Sequence, residues 1–392
     1  MIFAFADSSH VTSLFRNTPS SCSAMKPKLS LLASILEFFY FWGTTVRYYR
    51  HNREKDNFHV QCFDRDNGKH DLIRQVFISR TEVATVQESI ATNHHNSMPS
   101  FENKRIVFIS GGGRGLALQA VKILLTEERD QIVIAGVRSV EASKRAIQEL
   151  VPSIAEGNLL EVVAFDLTDK ASIEKAAQHV ESTYGRLDVL ISSAAIATSD
   201  ARTIFATNIY GTAIADEAFI PLLEKSRDAH LVEVTSGLAS LCLGAVPPQT
   251  KEKFDRDDIS HDEFEQLVQD YYNAAEKNDY ATLYGDAHAK FYGDYGMSKM
   301  FLNVYARALA QKIKSKEKSE ILKGISLSLV CPGYCATDLT YHQGPRSAED
   351  GARSILTSTR VPISQTGQAW TYGHHLPFSV TTVEYDELVA KC

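Results

Sequence analysis

The chain has 392 residues, a formal net charge of −7, and 44% hydrophobic and 23% charged residues. These values argue against a wholly disordered chain, a collagen-like fibre or a polytopic membrane protein. No basic excess is available to neutralise a phosphate backbone, which argues against a dedicated nucleic-acid binder.

Residues 1–97 differ in composition from the rest. They hold only Gly43 and Gly68 of the 21 glycines, and their charged residues sum to +2, against −9 for the remainder. Leu29–Val46 is mostly apolar and is flanked by Lys26, Lys28 and Arg47. Its length could just span a bilayer or anchor at an interface, although Glu37 sits at its centre. It begins too late in the chain, with no small-residue cleavage site after it, for a secretory signal. The expectation for 1–97 is a disordered or spurious extension, with Met98 a natural start, and a membrane anchor at 29–46 is the alternative.

From residue 104 the pattern becomes strand–helix alternation. Arg105–Ser110, Gln131–Val137, Leu159–Asp166, Asp188–Ile191, His230–Thr235 and Gly324–Val330 read as buried strands rich in Val and Ile. Leu116–Thr126, Val140–Leu150 and Ala171–Thr183 read as amphipathic helices between them. This order predicts a Rossmann-type, doubly wound α/β domain over 98–392 with a parallel sheet covered on both faces.

The first strand runs into Ser110, Gly111, Gly112, Gly113, Arg114, Gly115 and Leu116. A glycine-rich turn between a strand and a helix lets backbone approach a pyrophosphate at the helix N-terminus. The second strand ends in Val137 and Arg138, where a cofactor lacking the 2′-phosphate would want an acidic residue. Arg138 and Arg114 could instead clamp a 2′-phosphate, so NADPH/NADP+ is the expected cofactor. Downstream, Tyr295 and Lys299 are four apart, which on a helix puts both on one face. A lysine ammonium beside a phenol, whose usual pKa is ~10, is expected to favour the phenolate and lower that value.

The motifs SGGGRGLA, FDLTD, ATNIYGT, VEVTSGLAS, YGMSK and CPGYCATDL occur in that order. With them, residues 104–375 resemble the short-chain dehydrogenase/reductases, and among these the monomeric NADPH-dependent carbonyl reductases. The resemblance implies Tyr295 as general acid or base, Lys299 holding the nicotinamide ribose, and Ser236 bonding the substrate oxygen. It implies a water-mediated proton relay supported by Asn208, and an adenine site at Asp166 and Leu167. It implies further that Ser193 and Ala194 lie beside the cofactor, and that Pro332, Gly333 and Thr337 position the nicotinamide. The implied substrate is a small-molecule aldehyde, ketone or quinone.

The sequence departs from the family pattern in three places. Ser192-Ser193-Ala194-Ala195 replaces Asn-Asn-Ala-Gly, Ala117 replaces the third turn glycine, and Glu233 stands where an asparagine is common. The segment from Pro247 to Tyr292 is an acidic, amphipathic insertion before the tyrosine. It is expected to form a helix beside the active-site mouth and, by resemblance, to favour a monomer. The six cysteines, Cys22, Cys62, Cys242, Cys331, Cys335 and Cys392, form no CxxC pair. They read as reduced thiols, which suits the cytoplasm, and no Cys/His cluster has zinc spacing. Two alternatives remain open: an alcohol dehydrogenase working oxidatively on a steroid or retinoid, and a non-catalytic, cofactor-sensing protein of the same fold.

Overall fold

The computed structural model describes residues 45–50, 57–63, 72–79, 101–316 and 324–391. The chain divides into two compact units, residues 1–100 and 101–392. In the first, the strands β1 (Thr45–Arg50), β2 (Asn57–Phe63) and β3 (Leu72–Ser79) form an antiparallel sheet in that order. The apolar stretch 29–46 lies outside the described residues apart from Thr45 and Val46, which begin β1. Among the described residues, no helix is long and apolar enough to cross a membrane.

The second unit is built on a sheet of eight strands. These are β4 (Arg105–Ser110), β5 (Gln131–Val137), β6 (Leu159–Ala164), β7 (Val189–Ser192), β8 (Ala229–Val234), β9 (Ile325–Cys331), β10 (Gln368–Thr371) and β11 (His374–His375). Their spatial order is β11-β10-β9-β8-β7-β4-β5-β6, and every pairing is parallel except β10 with β11. The chain starts at β4, winds outward through β5 and β6, then returns to β7 on the other side of β4. That reversal between β4 and β7 opens a crevice at the carboxyl ends of the strands, the usual ligand position in such sheets.

Helices cover both faces because the strands are apolar on both sides. Val107 and Ile109 of β4 point into one layer, with Val121 and Leu124 from α1 (Gly115–Thr126), Ile147 from α2 (Val140–Leu150) and Ile355 of the C-terminal half. Ile106 and Phe108 point into the other, against Ile173 of α3 (Lys170–Tyr184) and Phe219 further along the chain. After β7 come a short helix α4 (Ala201–Phe205), a π-helical turn (Ala206–Gly211) and α5 (Thr212–Leu223). After β8 comes α6 (Gly237–Ala245).

The insertion is helical, as its amphipathic pattern predicted. It comprises α7 (Pro248–Phe254), α8 (His261–Lys277) and two single turns, α9 (Ala281–Tyr284) and α10 (Ala287–Lys290). α8 starts at a capping box formed by Ser260 and Glu263. Its apolar stripe makes a third core with Phe205 and Phe301, in which the Phe205 and Tyr271 rings stack at 4.7 Å. The long helix α11 (Gly293–Lys316) follows, and α12 (Ala348–Ser358) and α13 (Thr382–Val389) complete the unit.

Candidate active site

The glycine-rich turn leaves β4 at the crevice. The buried Ser110 hydroxyl accepts from the backbone N–H groups of Ser193 (2.9 Å) and Ala194 (3.0 Å), tying the turn to the strand across the reversal. Gly111 has φ +76°, a region that favours glycine, and a β-carbon there would lie 3.3 Å from Ala194. At Gly113 a β-carbon would meet Ser143 Oγ at 2.1 Å. Gly115 opens α1 within 4.0 Å of where Thr337 sits, so the turn and the loop after β9 line one cleft. Leu116 and Cys335 flank Gly351 at the same junction.

The N-terminus of α1 has no side-chain cap and no acidic residue in its first turn. Its free N–H groups and positive dipole end are therefore open to an anion. The side chains of Arg114 and Arg138 are exposed and have no hydrogen-bond or ion-pair partner among the described residues. Phosphate-binding backbone, an open helix end and two unpaired guanidiniums fit a phosphorylated dinucleotide.

Asp166 follows β6, and one of its carboxylate oxygens accepts from the N–H (2.9 Å) and hydroxyl (2.8 Å) of Thr168. The N-cap of α3 is Asp169, not Asp166. Leu167 is buried, and its carbonyl would lie 2.4 Å from a β-carbon at Gly211, which sets it against the π-helical turn. Pro332 follows β9, and Gly333 adopts φ +85° where a β-carbon would strike the Tyr372 hydroxyl.

On the catalytic side, Ser236 caps α6: its oxygen accepts from Leu238 N–H at 3.2 Å. That bond uses a lone pair and leaves the hydroxyl proton free to donate outward. The next residue, Gly237, donates its N–H to Cys331 Sγ at 3.0 Å. Tyr295 and Lys299 lie in the first turns of α11, with the Lys299 Nζ 5.9 Å from the centre of the Tyr295 ring. Lys299 is buried and donates to Val234 O at 2.8 Å.

The electrostatics correct one expectation. Spacing alone predicted that Lys299 lowers the tyrosine pKa. Instead burial, followed by the neighbouring Cys331 sulfur, pushes the Tyr295 phenol well above its usual value. Burial also lowers the Lys299 ammonium to about 8, opposed by Glu233. Spacing establishes adjacency, whereas desolvation decides the sign.

Asn208 sits in the π-helical turn, buried, with its amide fully engaged by protein. Its oxygen accepts from Ile196 N–H (2.9 Å), and its nitrogen donates to Ile196 O (2.9 Å) and Ser298 Oγ (3.0 Å). Ser298 in turn donates to Tyr295 O at 2.8 Å. The insertion holds the same helix start from the other side. Asp294 accepts from the Tyr271 (2.6 Å) and Tyr280 (3.2 Å) hydroxyls and contacts His288 at 3.3 Å. Sequence reasoning missed these latches, and it missed Asp216 and Tyr305 beneath Lys299. Asp216 had a signal: with Thr212, Ala215, Phe219 and Leu223 it falls on the buried face of α5.

A family model described as short chain dehydrogenase matches residues 105–246. The (+)-neomenthol dehydrogenase of Arabidopsis thaliana is 26% identical over 300 residues, covering 68% of this chain and 94% of its own length. Carbonyl reductase (NADPH) 1 of Homo sapiens is 25% identical over 271 residues, covering 67% of this chain and 93% of its own. Among solved structures, salutaridine reductase from Papaver somniferum superposes with a TM-score of 0.58 at 22% identity. It covers 68% of this chain and 99% of that one, a likeness of fold.

Proposed function

The chain belongs to the short-chain dehydrogenase/reductase family, as an oxidoreductase acting on carbonyl or hydroxyl groups, and we propose that residues 98–392 reduce aldehydes, ketones or quinones with NADPH. The observation that supports this direction is the protonated state of the Tyr295 phenol, whose partly buried site and neighbouring Cys331 sulfur raise its pKa further above neutrality. A protonated phenol is the form a carbonyl reduction needs.

In this reading a bound nicotinamide supplies the hydride. Ser236 donates its hydroxyl proton to the carbonyl oxygen, its lone pair being held by Leu238 N–H. Tyr295 transfers its proton to the oxygen as negative charge develops there. Lys299, an ammonium below about pH 8, stabilises the phenolate left behind. Asn208 fixes the loop after β7 to α11 through Ile196 and Ser298, a positioning role that also holds the tyrosine backbone. Its amide has no free donor for a relay, so a water-mediated relay would run past its backbone.

Cofactor choice rests on the exposed, unpaired Arg114 and Arg138 with Val137 between strand and turn. Ser110, Gly111, Gly113, Gly115, Leu116, Ser193, Ala194, Asp166, Leu167, Pro332, Gly333 and Thr337 line the rest of the proposed dinucleotide path. Exposed Tyr292 and Tyr334, whose hydroxyls are linked, suit flat apolar carbonyl compounds. The full chain mixed with NADPH and a panel of aldehydes, ketones and quinones is expected to oxidise the cofactor, and NADH is expected to serve at least about tenfold less well. Equal use of both cofactors would overturn the role of the arginines, and no turnover with any carbonyl would overturn the activity.

A further inference from the structure

Beneath the catalytic lysine lie two carboxyl groups for which the reaction above has no use. Glu233 is on β8, one residue before the Val234 carbonyl that holds Lys299, and it is 0% exposed. Asp216 faces it from α5, also 0% exposed. Neither Glu233 oxygen has a hydrogen-bond donor in the structure. Asp216 has two weak or neutral ones, the Tyr305 hydroxyl at 3.0 Å and the Ser192 hydroxyl at 3.5 Å. Strand register sets Ser192 directly beside Glu233. The Ser192 hydroxyl that reaches Asp216 belongs to the residue paired with Glu233, which brings the two carboxyls together around it; a hydrogen bond between them forms only when one carries a proton.

Two adjacent carboxylates without water cannot both ionise, since burial and mutual repulsion each oppose the second charge. An isolated buried lysine ammonium is equally unfavourable unless a negative charge is close. We propose that Glu233 and Asp216 hold one proton between them, and that this half-ionised pair is the counter-charge that keeps Lys299 an ammonium, making both of them positioning residues for the catalytic lysine. The inference rests on the reading of Lys299 given above.

Among the described residues, few other charged or titratable groups bear on the pair. Lys299 and Tyr305 reach it from α11, Glu217 acts on Tyr305 from α5, and β7 contributes only the Ser192 hydroxyl. Burial pushes the Asp216 carboxyl up to about 7, and burial followed by the neighbouring Asp216 pushes Glu233 well above its usual range, so the pair keeps a proton at neutral pH. Ser192, where the family pattern has asparagine, and Glu233 thus belong together: they are register partners on adjacent strands.

The test has two arms. Infrared spectra of the full chain at pH 7 are expected to contain the carbonyl stretch of a protonated carboxylic acid, and E233Q is expected to lose it, because Asp216 alone then ionises. This arm needs no turnover, so it stands even if the carbonyl reductase reading fails. In the second arm, the alkaline fall of kcat is followed in wild type, E233Q, D216N and the double variant. Each single variant keeps one negative charge and is expected to stay near the wild-type limb. The double variant has none, and its limb is expected to move down by about one pH unit, roughly tenfold less activity on that limb. Absence of the protonated-acid band at pH 7, its survival in E233Q, single variants that shift as far as the double, or a double variant that does not shift would each overturn the proposal. If the double variant does not fold, the infrared arm on the single variants decides.

Discussion

Two buried carboxyl groups at opposite ends of one sheet behave in contrasting ways. Asp188, at the amino end before β7, accepts from Ile106 N–H (2.8 Å), Ser226 Oγ (2.6 Å) and Arg186 Nε (3.1 Å). Glu233, at the carboxyl end of β8, has no comparable set of donors and meets instead the Asp216 carboxyl and the Ser192 hydroxyl. The first is a satisfied charge that pins a strand, a loop and a neighbouring strand together. The second shares its surroundings with Asp216 and Lys299, the lysine proposed to act in the chemistry. A fully satisfied buried acid is a structural device, whereas an unsatisfied one in a native fold points to function.

The sharpest way to break this contrast is stability. Asp188→Ala strands a buried N–H, a hydroxyl and a guanidinium, and is expected to cost about 3 kcal/mol of unfolding free energy. Its kcat per folded molecule should be unchanged. Glu233→Gln substitutes one neutral group for another of the same shape, and its loss is expected to stay below about 1 kcal/mol. Urea denaturation of both variants checks the pair, and a Glu233→Gln loss as large as that of Asp188→Ala would show that both acids are structural.

A smaller effect belongs to the adenosine end, where the charges lie in water. The double variant Arg114→Ala/Arg138→Ala is expected to weaken NADPH binding by about thirtyfold, roughly 2 kcal/mol, while NADH binding changes little. Fluorescence titration of the reduced cofactor measures this. Added salt should erode the NADPH preference of the wild-type chain by a few fold, because exposed charges are screened over about 10 Å at moderate ionic strength. The alkaline limb set by buried Lys299 should respond to salt far less. Insensitivity of the NADPH preference to both arginines and salt would remove the distinction between the two ends of the cleft.

Much of the fold was legible in the sequence because parallel strands buried on both faces read as short, continuous apolar runs. Arg105–Ser110, Gln131–Val137 and Val140–Leu150 match the observed elements residue for residue. The hairpin of β10 and β11 went unread, since QAWT and HH are too short and too polar to carry a pattern. β6 ends two residues earlier than expected: Phe165 N–H still donates to Val137 O at 2.9 Å, but Asp166 N–H donates to the Ser172 hydroxyl at 3.1 Å and no longer to a strand. At the candidate site, the ordered motifs pointed to Ser236, Tyr295 and Lys299, and the structure sets the Lys299 amine 5.9 Å from the Tyr295 ring centre. What spacing could not give was the desolvation that, with the neighbouring Cys331 sulfur, raises the Tyr295 pKa instead of lowering it. Glu233 was visible only as a departure from pattern, and its partner Asp216 only by its place on an apolar helix face. Their meeting across β8 and α5 is a tertiary fact.

In the proposed reaction the partly buried phenol of Tyr295, protonated at neutral pH, delivers the proton that completes carbonyl reduction. Tyr295→Phe removes that proton and leaves the ring, the helix and the dinucleotide cleft in place. Steady-state oxidation of NADPH by a reactive quinone or ketone is expected to fall at least about 10³-fold in the variant, with NADPH affinity within about threefold of wild type. A variant that turns over at the wild-type rate would contradict the account.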